Sequence, residues 1–134
     1  MRETKSVAIR VFHKDKPDVM LPIISNDARL VVWPGVGAKT ANMNYVRMEP
    51  GEANVPHIHA SSEDTIYILE GEGTVSDFDH DLKLDFRAGD VIHVPPGVKH
   101  AVAADKGALV VSVGGPCPAD YTMLKAVGAL PDDS

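Results

Sequence analysis

Apolar residues in this chain come in short segments closed by glycine, proline or acidic residues, and they rarely recur at helical spacing. Segments rich in Val, Ile, Leu or aromatic residues predict strands over Val7–Phe12, Leu30–Trp33, Met43–Met48, Thr65–Glu70, Gly73–Phe78, Leu82–Phe86, Val91–Pro95, His100–Ala103 and Leu109–Val113. Turn chemistry separates them at Trp33–Gly37, Glu49–Gly51, Gly71–Gly73, Arg87–Asp90, Pro95–Gly97 and Gly114–Pro116. Turns this frequent, with no helix between them, predict an all-β sandwich or barrel. A short C-terminal helix over Tyr121–Val127 is expected, with Asp120 as its cap, an apolar face of Met123, Leu124 and Val127, and Gly128 at its end.

Composition sharpens this picture. The 134 residues suit one domain over 1–134. The 11 glycines and 10 prolines become the corners of a small barrel. Six histidines stand against one cysteine, Cys117, so no internal disulfide or Cys-based zinc knuckle is available and any metal must be held by imidazole and carboxylate. A net charge of −6 argues against nucleic acid, and no apolar run is long enough for a membrane span. The charged N-terminus lacks a signal-peptide core, so the expected location is cytoplasmic.

The chemistry concentrates between positions 57 and 100. In an extended segment His57 and His59 point to one side, about 6.5–7 Å apart along the strand, a spacing at which two imidazoles can converge on one ion. Gly51 precedes the pair, Glu63 and Asp64 follow it, and Gly71 closes the segment; a second block runs from Gly89 through His93, Pro95 and Gly97 to His100. In these two blocks, at 51–71 and 89–104, the chain resembles the cupin superfamily. The resemblance rests on Gly51, His57, His59 and Gly71, then on Gly89, Pro95, Gly97 and His100. It implies a double-stranded β-helix, or jelly-roll barrel, with a divalent metal at its mouth. The implied ligands are His57, His59, one acid and His100, with Fe(II) favoured and Mn, Ni, Zn or Cu possible. Ala104 stands where the second motif usually ends in asparagine.

The acid is read in two ways. Strand parity with His57 and His59 favours Glu63, but a bend at Ala60–Ser62 would destroy that parity; counting back from Gly71 favours Asp64, in a position where cupins usually carry glutamate. Being one methylene shorter, aspartate on the same backbone falls about 1.5 Å short of a ligand distance near 2.1 Å. Either the site has four ligands, or three histidines bind the metal with Asp64 behind them.

His93 and Glu63 are the candidate proton carriers beside the open coordination positions. Tyr45 and Arg47 share one strand face: directed inward, Arg47 anchors a substrate carboxylate; directed outward, the orientation favoured here, they are surface or dimer residues. Ile66 and Ile68, with the parity of Asp64, are expected to line the cavity. Trp33 is read as a lid or a dimer contact. His13, His80 and the run Asp77, Asp79, Asp81, Asp85 read as solvated loop and hairpin charge.

Three functions follow. The first is a small-molecule oxygenase using Fe(II) held by three histidines. The second is a non-redox Mn-, Ni- or Zn-dependent isomerase, lyase or decarboxylase. The third is a non-catalytic module that binds a metal or small ligand. The expected partner is a small organic molecule. A homodimer is also expected, with Val7–Phe12 as the strand that pairs.

Overall fold

The computed structural model describes residues 8–22 and 24–126. Nine strands form two sheets: β1 (Val19–Met20), β2 (Asp27–Val32), β3 (Met43–Met48), β4 (Glu63–Glu70), β5 (Glu72–Asp77), β6 (Leu82–Arg87), β7 (Val91–Val94), β8 (His100–Ala103) and β9 (Val110–Cys117). One sheet has the order β1-β2-β3-β9-β4-β7, the other β6-β5-β8, and the paired strands run antiparallel. The described chain ends in a short helix, α1 (Tyr121–Ala126); Val127 and Gly128, expected at its end, lie outside the described residues. No helix among the described residues is long and apolar enough to cross a membrane.

Period-two alternation decides which side chains face inward. In β3, Asn44, Val46 and Met48 are buried between half-exposed Tyr45 and Arg47. In β4, Asp64 and Ile68 are buried, whereas Glu63, Thr65 and Tyr67 are exposed. Between the sheets lies a core that includes Leu30, Met48, Ile68, Phe86, Val102 and Val110; each such aliphatic side chain contributes about 1.5–3 kcal/mol on full burial.

Residues 51–59 are not a regular strand, yet they lie along β8. Gly51 N–H donates to Ala104 O, Asn54 N–H to Val102 O, and His57 and His100 exchange both backbone bonds at 3.0 Å. The Asn54 side chain completes the seam, accepting from Val102 N–H at 3.0 Å and donating to Ile24 O at 2.7 Å. This seam joins the two sequence blocks that carry the histidines.

Three expectations need correction. Of the strand expected over Val7–Phe12, Val7 lies outside the described residues and 8–12 form no strand: Ile9 and Val11 are 98% and 95% exposed, and the Arg10 side chain, bonded to Val36 O, ties the segment down instead of a strand ladder. Gly114–Pro116 is not a turn but the continuation of β9, where Gly114 pairs with both Asn44 and Ile66. Trp33 is neither lid nor exposed contact: it is buried at 4%, and its Nε1–H donates to Asp18 Oδ2 at 2.7 Å.

Candidate metal centre

His57, His59, Asp64 and His100 are brought together with their ligand atoms within 4.8 Å of one another. His57 and His59 come from the 51–59 segment that lies alongside β8, His100 from the first position of β8, and Asp64 from β4 in the opposite sheet. The imidazole ring centres are 4.3 to 5.4 Å apart. His59, Asp64 and His100 are buried.

Each ring is oriented from behind. His57 Nδ1 lies 2.7 Å from Val55 O and His100 Nδ1 2.9 Å from Val98 O, while His59 Nδ1 lies 2.8 Å from Asp120 Oδ2. A carbonyl or carboxylate oxygen only accepts, so each Nδ1 carries the proton and each Nε2 is turned toward the cluster. Asp64 Oδ2 stands 3.5 Å from Nε2 of both His59 and His100. That is long for a hydrogen bond, and His100 Nε2 and Asp64 Oδ1 are buried without a partner.

Electrostatics agree that a cation belongs between these groups. Burial pushes His57 down to about 4, helped by the neighbouring His100 and His59, so its Nε2 keeps a lone pair at neutral pH. Burial also opposes charge on His59, but the carboxylates of Asp64 and Asp120 outweigh that effect and raise its pKa. Burial would raise Asp64 likewise, yet His100 and His59 hold it down at about 2. A carboxylate and inward-facing imidazole nitrogens, some left without a bonding partner, fit a divalent transition metal. Two atoms each about 2.1 Å from one ion lie about 3.0 Å apart at a right angle and about 4.2 Å apart when opposed. The 3.5 Å separations fall inside that span, so the shortfall expected from aspartate's shorter side chain does not arise. Because β4 begins at Glu63, two residues earlier than expected, and pairs with β7 and β9 on either side, Asp64 is carried toward the histidines.

The same register removes Glu63 and His93 from the site. Thr65 pairs with His93 across β4 and β7, so His93 and Glu63 share the outer face and bond to each other at 2.7 Å, both more than half exposed. Tyr45 and Arg47 also face outward: Arg47 lies 3.6 Å from Asp27, and Tyr45 lies under the cations of Lys14 and Arg29. Neither lines the cavity. Ile66 does, whereas Ile68 is fully buried in the core. His13 and His80 pair with Asp15 and Asp77 at the surface.

The cavity beside the cluster is small, with a volume of about 50 Å³, and opens to solvent. Its wall is largely aliphatic, with Val46, Met48, Ile66 and Leu124 among the contributors, and its described lining contains no Lys or Arg. Asn42 and Asn44 add carboxamides whose Oδ1 atoms are buried without partners. Gly114 and Gly115 complete the wall at φ of +135° and +141°. A Cβ on Gly114 would meet Thr65 O at 2.0 Å, so the close approach of β9 to β4 requires glycine. The Gly-Gly pair, read from the sequence as a turn, is the signal that could have marked this wall, since glycine within a strand also marks a close backbone approach. Asp120 gave no such signal: it stands 61 residues from His59, and only the fold joins them.

Residues 44–114, just over half of the chain, match the family model described as Cupin domain. Among curated relatives, oxalate oxidase GF-3.8 of Triticum aestivum is 32% identical over 80 residues, covering 55% of this chain and 36% of the relative. The chain thus matches little more than a third of that protein's length. Solved structures that share the fold include two that cover most of the chain. The polyketide cyclase RemF of Streptomyces resistomycificus has a TM-score of 0.69 at 20% identity, covering 84% of this chain and 81% of its own. An RmlC-like cupin family protein with a double-stranded β-helix fold from Methanocaldococcus jannaschii has a TM-score of 0.67 at 17% identity, covering 88% and 98%.

Proposed function

The chain belongs to the cupin family, and from that premise we propose that it is a metal-dependent oxidoreductase acting on a small organic molecule, with Mn(II) or Fe(II) held by His57, His59, Asp64 and His100. The observation that carries this reading is the convergence of inward-facing imidazole nitrogens on a buried carboxylate, with His100 Nε2 and Asp64 Oδ1 lacking any other partner. When bound, the metal supplies Lewis acidity and a one-electron couple beside the cavity.

The protein's own residues do the rest. The backbone carbonyls of Val55 and Val98 and the Asp120 carboxylate keep the three imidazoles in one tautomer. The aliphatic wall excludes water and shapes the space for an apolar body, while Asn42 and Asn44 offer hydrogen bonds to a polar substituent. With His93 and Glu63 on the outer face, the titratable side chains lining the cavity, among the described residues, are His57, His59, Asp64 and Asp120, the last engaged by its bond to His59. That favours metal-centred electron chemistry over a non-redox isomerase or lyase, which needs a separate proton carrier near the substrate. The curated relative named as an oxalate oxidase supports the same direction.

The test is an oxygen electrode run on protein loaded with Mn(II) or Fe(II) and offered small oxygenated acids, oxalate included, and enolisable diketones. Metal-dependent oxygen uptake with at least one of them is expected. Full turnover under anaerobic conditions would overturn the redox reading.

A further inference from the structure

Asp120 bonds in two directions at once. Its Oδ2 accepts from His59 Nδ1–H at 2.8 Å, where both side chains are largely buried, at 11% and 3% exposure. Its backbone carbonyl accepts from Leu124 N–H at 3.0 Å, closing the first turn of α1. Leu124 is 5% exposed and lines the same cavity. The segment is fastened again just upstream, where Ser62 Oγ–H donates to Pro118 O at 2.6 Å and Ala119 is buried. The other two imidazoles are held by backbone carbonyls two residues away in sequence. His59 alone of the three depends on a distant side chain, and that side chain belongs to the segment that seats α1 against the cavity.

We propose that Asp120 is a positioning residue that couples the metal centre to α1: it fixes the His59 ring with Nε2 toward the cluster, and metal occupancy in turn holds α1 on the cavity. The torsion that swings an imidazole about its Cβ–Cγ bond is broad, so a ring lacking its outer bond samples orientations in which Nε2 points away. Thermodynamic linkage makes the effect reciprocal. If seating α1 through Asp120 and Leu124 strengthens metal binding by some factor, metal binding strengthens the seating by the same factor. This inference rests on the proposed metal reading.

The experiment combines calorimetric titration of Mn(II) with amide hydrogen exchange over residues 119–126, on wild type, Asp120→Ala, Asp120→Asn and Leu124→Ala. In wild type, Mn(II) binds and slows exchange across 119–126. Asp120→Ala weakens Mn(II) binding by about 10–100-fold, the usual effect of losing a partner behind a ligand, and abolishes the slowing even at saturating Mn(II). Asp120→Asn, whose carbonyl still accepts from Nδ1–H, recovers part of both losses. Leu124→Ala touches no ligand, yet weakens Mn(II) binding severalfold; a merely structural role for Asp120 would leave that affinity unchanged. Wild-type affinity in folded Asp120→Ala would overturn the coupling, as would Asp120→Asn binding no better than Asp120→Ala, or wild-type affinity in Leu124→Ala with faster exchange over 119–126. Failure of wild type to bind Mn(II) or Fe(II) would instead overturn the metal reading and carry the coupling down with it.

Discussion

Replacing Asp64 by asparagine removes one charge from the centre and leaves its shape nearly unchanged. In the metal-free protein that carboxylate is held at about 2, against an ordinary value of 3.8, because the attraction of His59 and His100 exceeds the penalty of burial. At about 1.4 kcal/mol per pH unit, the ionised group stabilises the fold by about 2 kcal/mol. Asparagine resembles the protonated acid, so Asp64→Asn is expected to lose about 2 kcal/mol at pH 5 with chelator present, or about 5–10 °C in Tm. The sign follows from the depressed value: the contribution is present above 3.8, disappears as pH falls through about 2, and weakens again as pH rises through the raised pKa of His59, where a neutral imidazole no longer offsets burial. Urea unfolding of both proteins between pH 5 and pH 3 therefore shows a gap that narrows at the acid end. In the same variant Mn(II) binding falls by at least about 100-fold, since losing a ligand exceeds the loss of a partner behind one. A metal-free variant more stable than wild type would refute the ion-pair reasoning, because it would mean that burial dominates. Unchanged Mn(II) affinity would refute Asp64 as a ligand.

Other consequences are equally specific. Gly114→Ala places a Cβ 2.0 Å from Thr65 O at a φ of +135°; the φ strain alone costs about 1–3 kcal/mol, and with the clash the variant should lose more than about 3 kcal/mol in thermal melts and bind metal more weakly. Metal affinity should be flat above the raised pKa of His59 and weaken by up to about tenfold per pH unit below it, while His57, pushed down to about 4, adds no competing proton near neutrality; calorimetry across pH 5–8 checks this. Glu63→Ala and His93→Ala break an exposed pair worth about 0.2–1 kcal/mol, so each should melt close to wild type and bind Mn(II) equally well. The nearly bare side chains of Ile9 and Val11 are buried by a second copy if the chain is a homodimer; light scattering should then give a dimer that Ile9→Asp with Val11→Asp converts to a monomer.

Much of the barrel was legible because its strands alternate cleanly and its corners are glycine and proline. The histidines were legible too, since His57, His59 and His100 lie on a seam that the motif glycines frame at either end. Asp64 was reachable by counting back along an uninterrupted strand from Gly71, whereas parity from His59 crosses a turn at Ala60–Ser61 and points to Glu63, which faces outward. The face of β3 was ambiguous for a physical reason: Tyr45 and Arg47 are as plausible inside a cavity as Asn44 is, and only pairing with β2 and β9 decides. Gly114–Pro116 read as a turn because glycine's commonest use is a corner, while here it permits the contact with β4. Asp120 was hidden for a different reason, since its place beside His59 depends on long-range packing that no local pattern encodes.

The central claim is that four side chains hold one redox-active metal per chain. Elemental analysis of wild type purified without added metal, set beside His100→Ala prepared in parallel, tests it most directly. Close to one equivalent of manganese or iron per chain is expected in wild type and almost none in the variant. Equal metal content in the two, or only zinc in wild type, would contradict it.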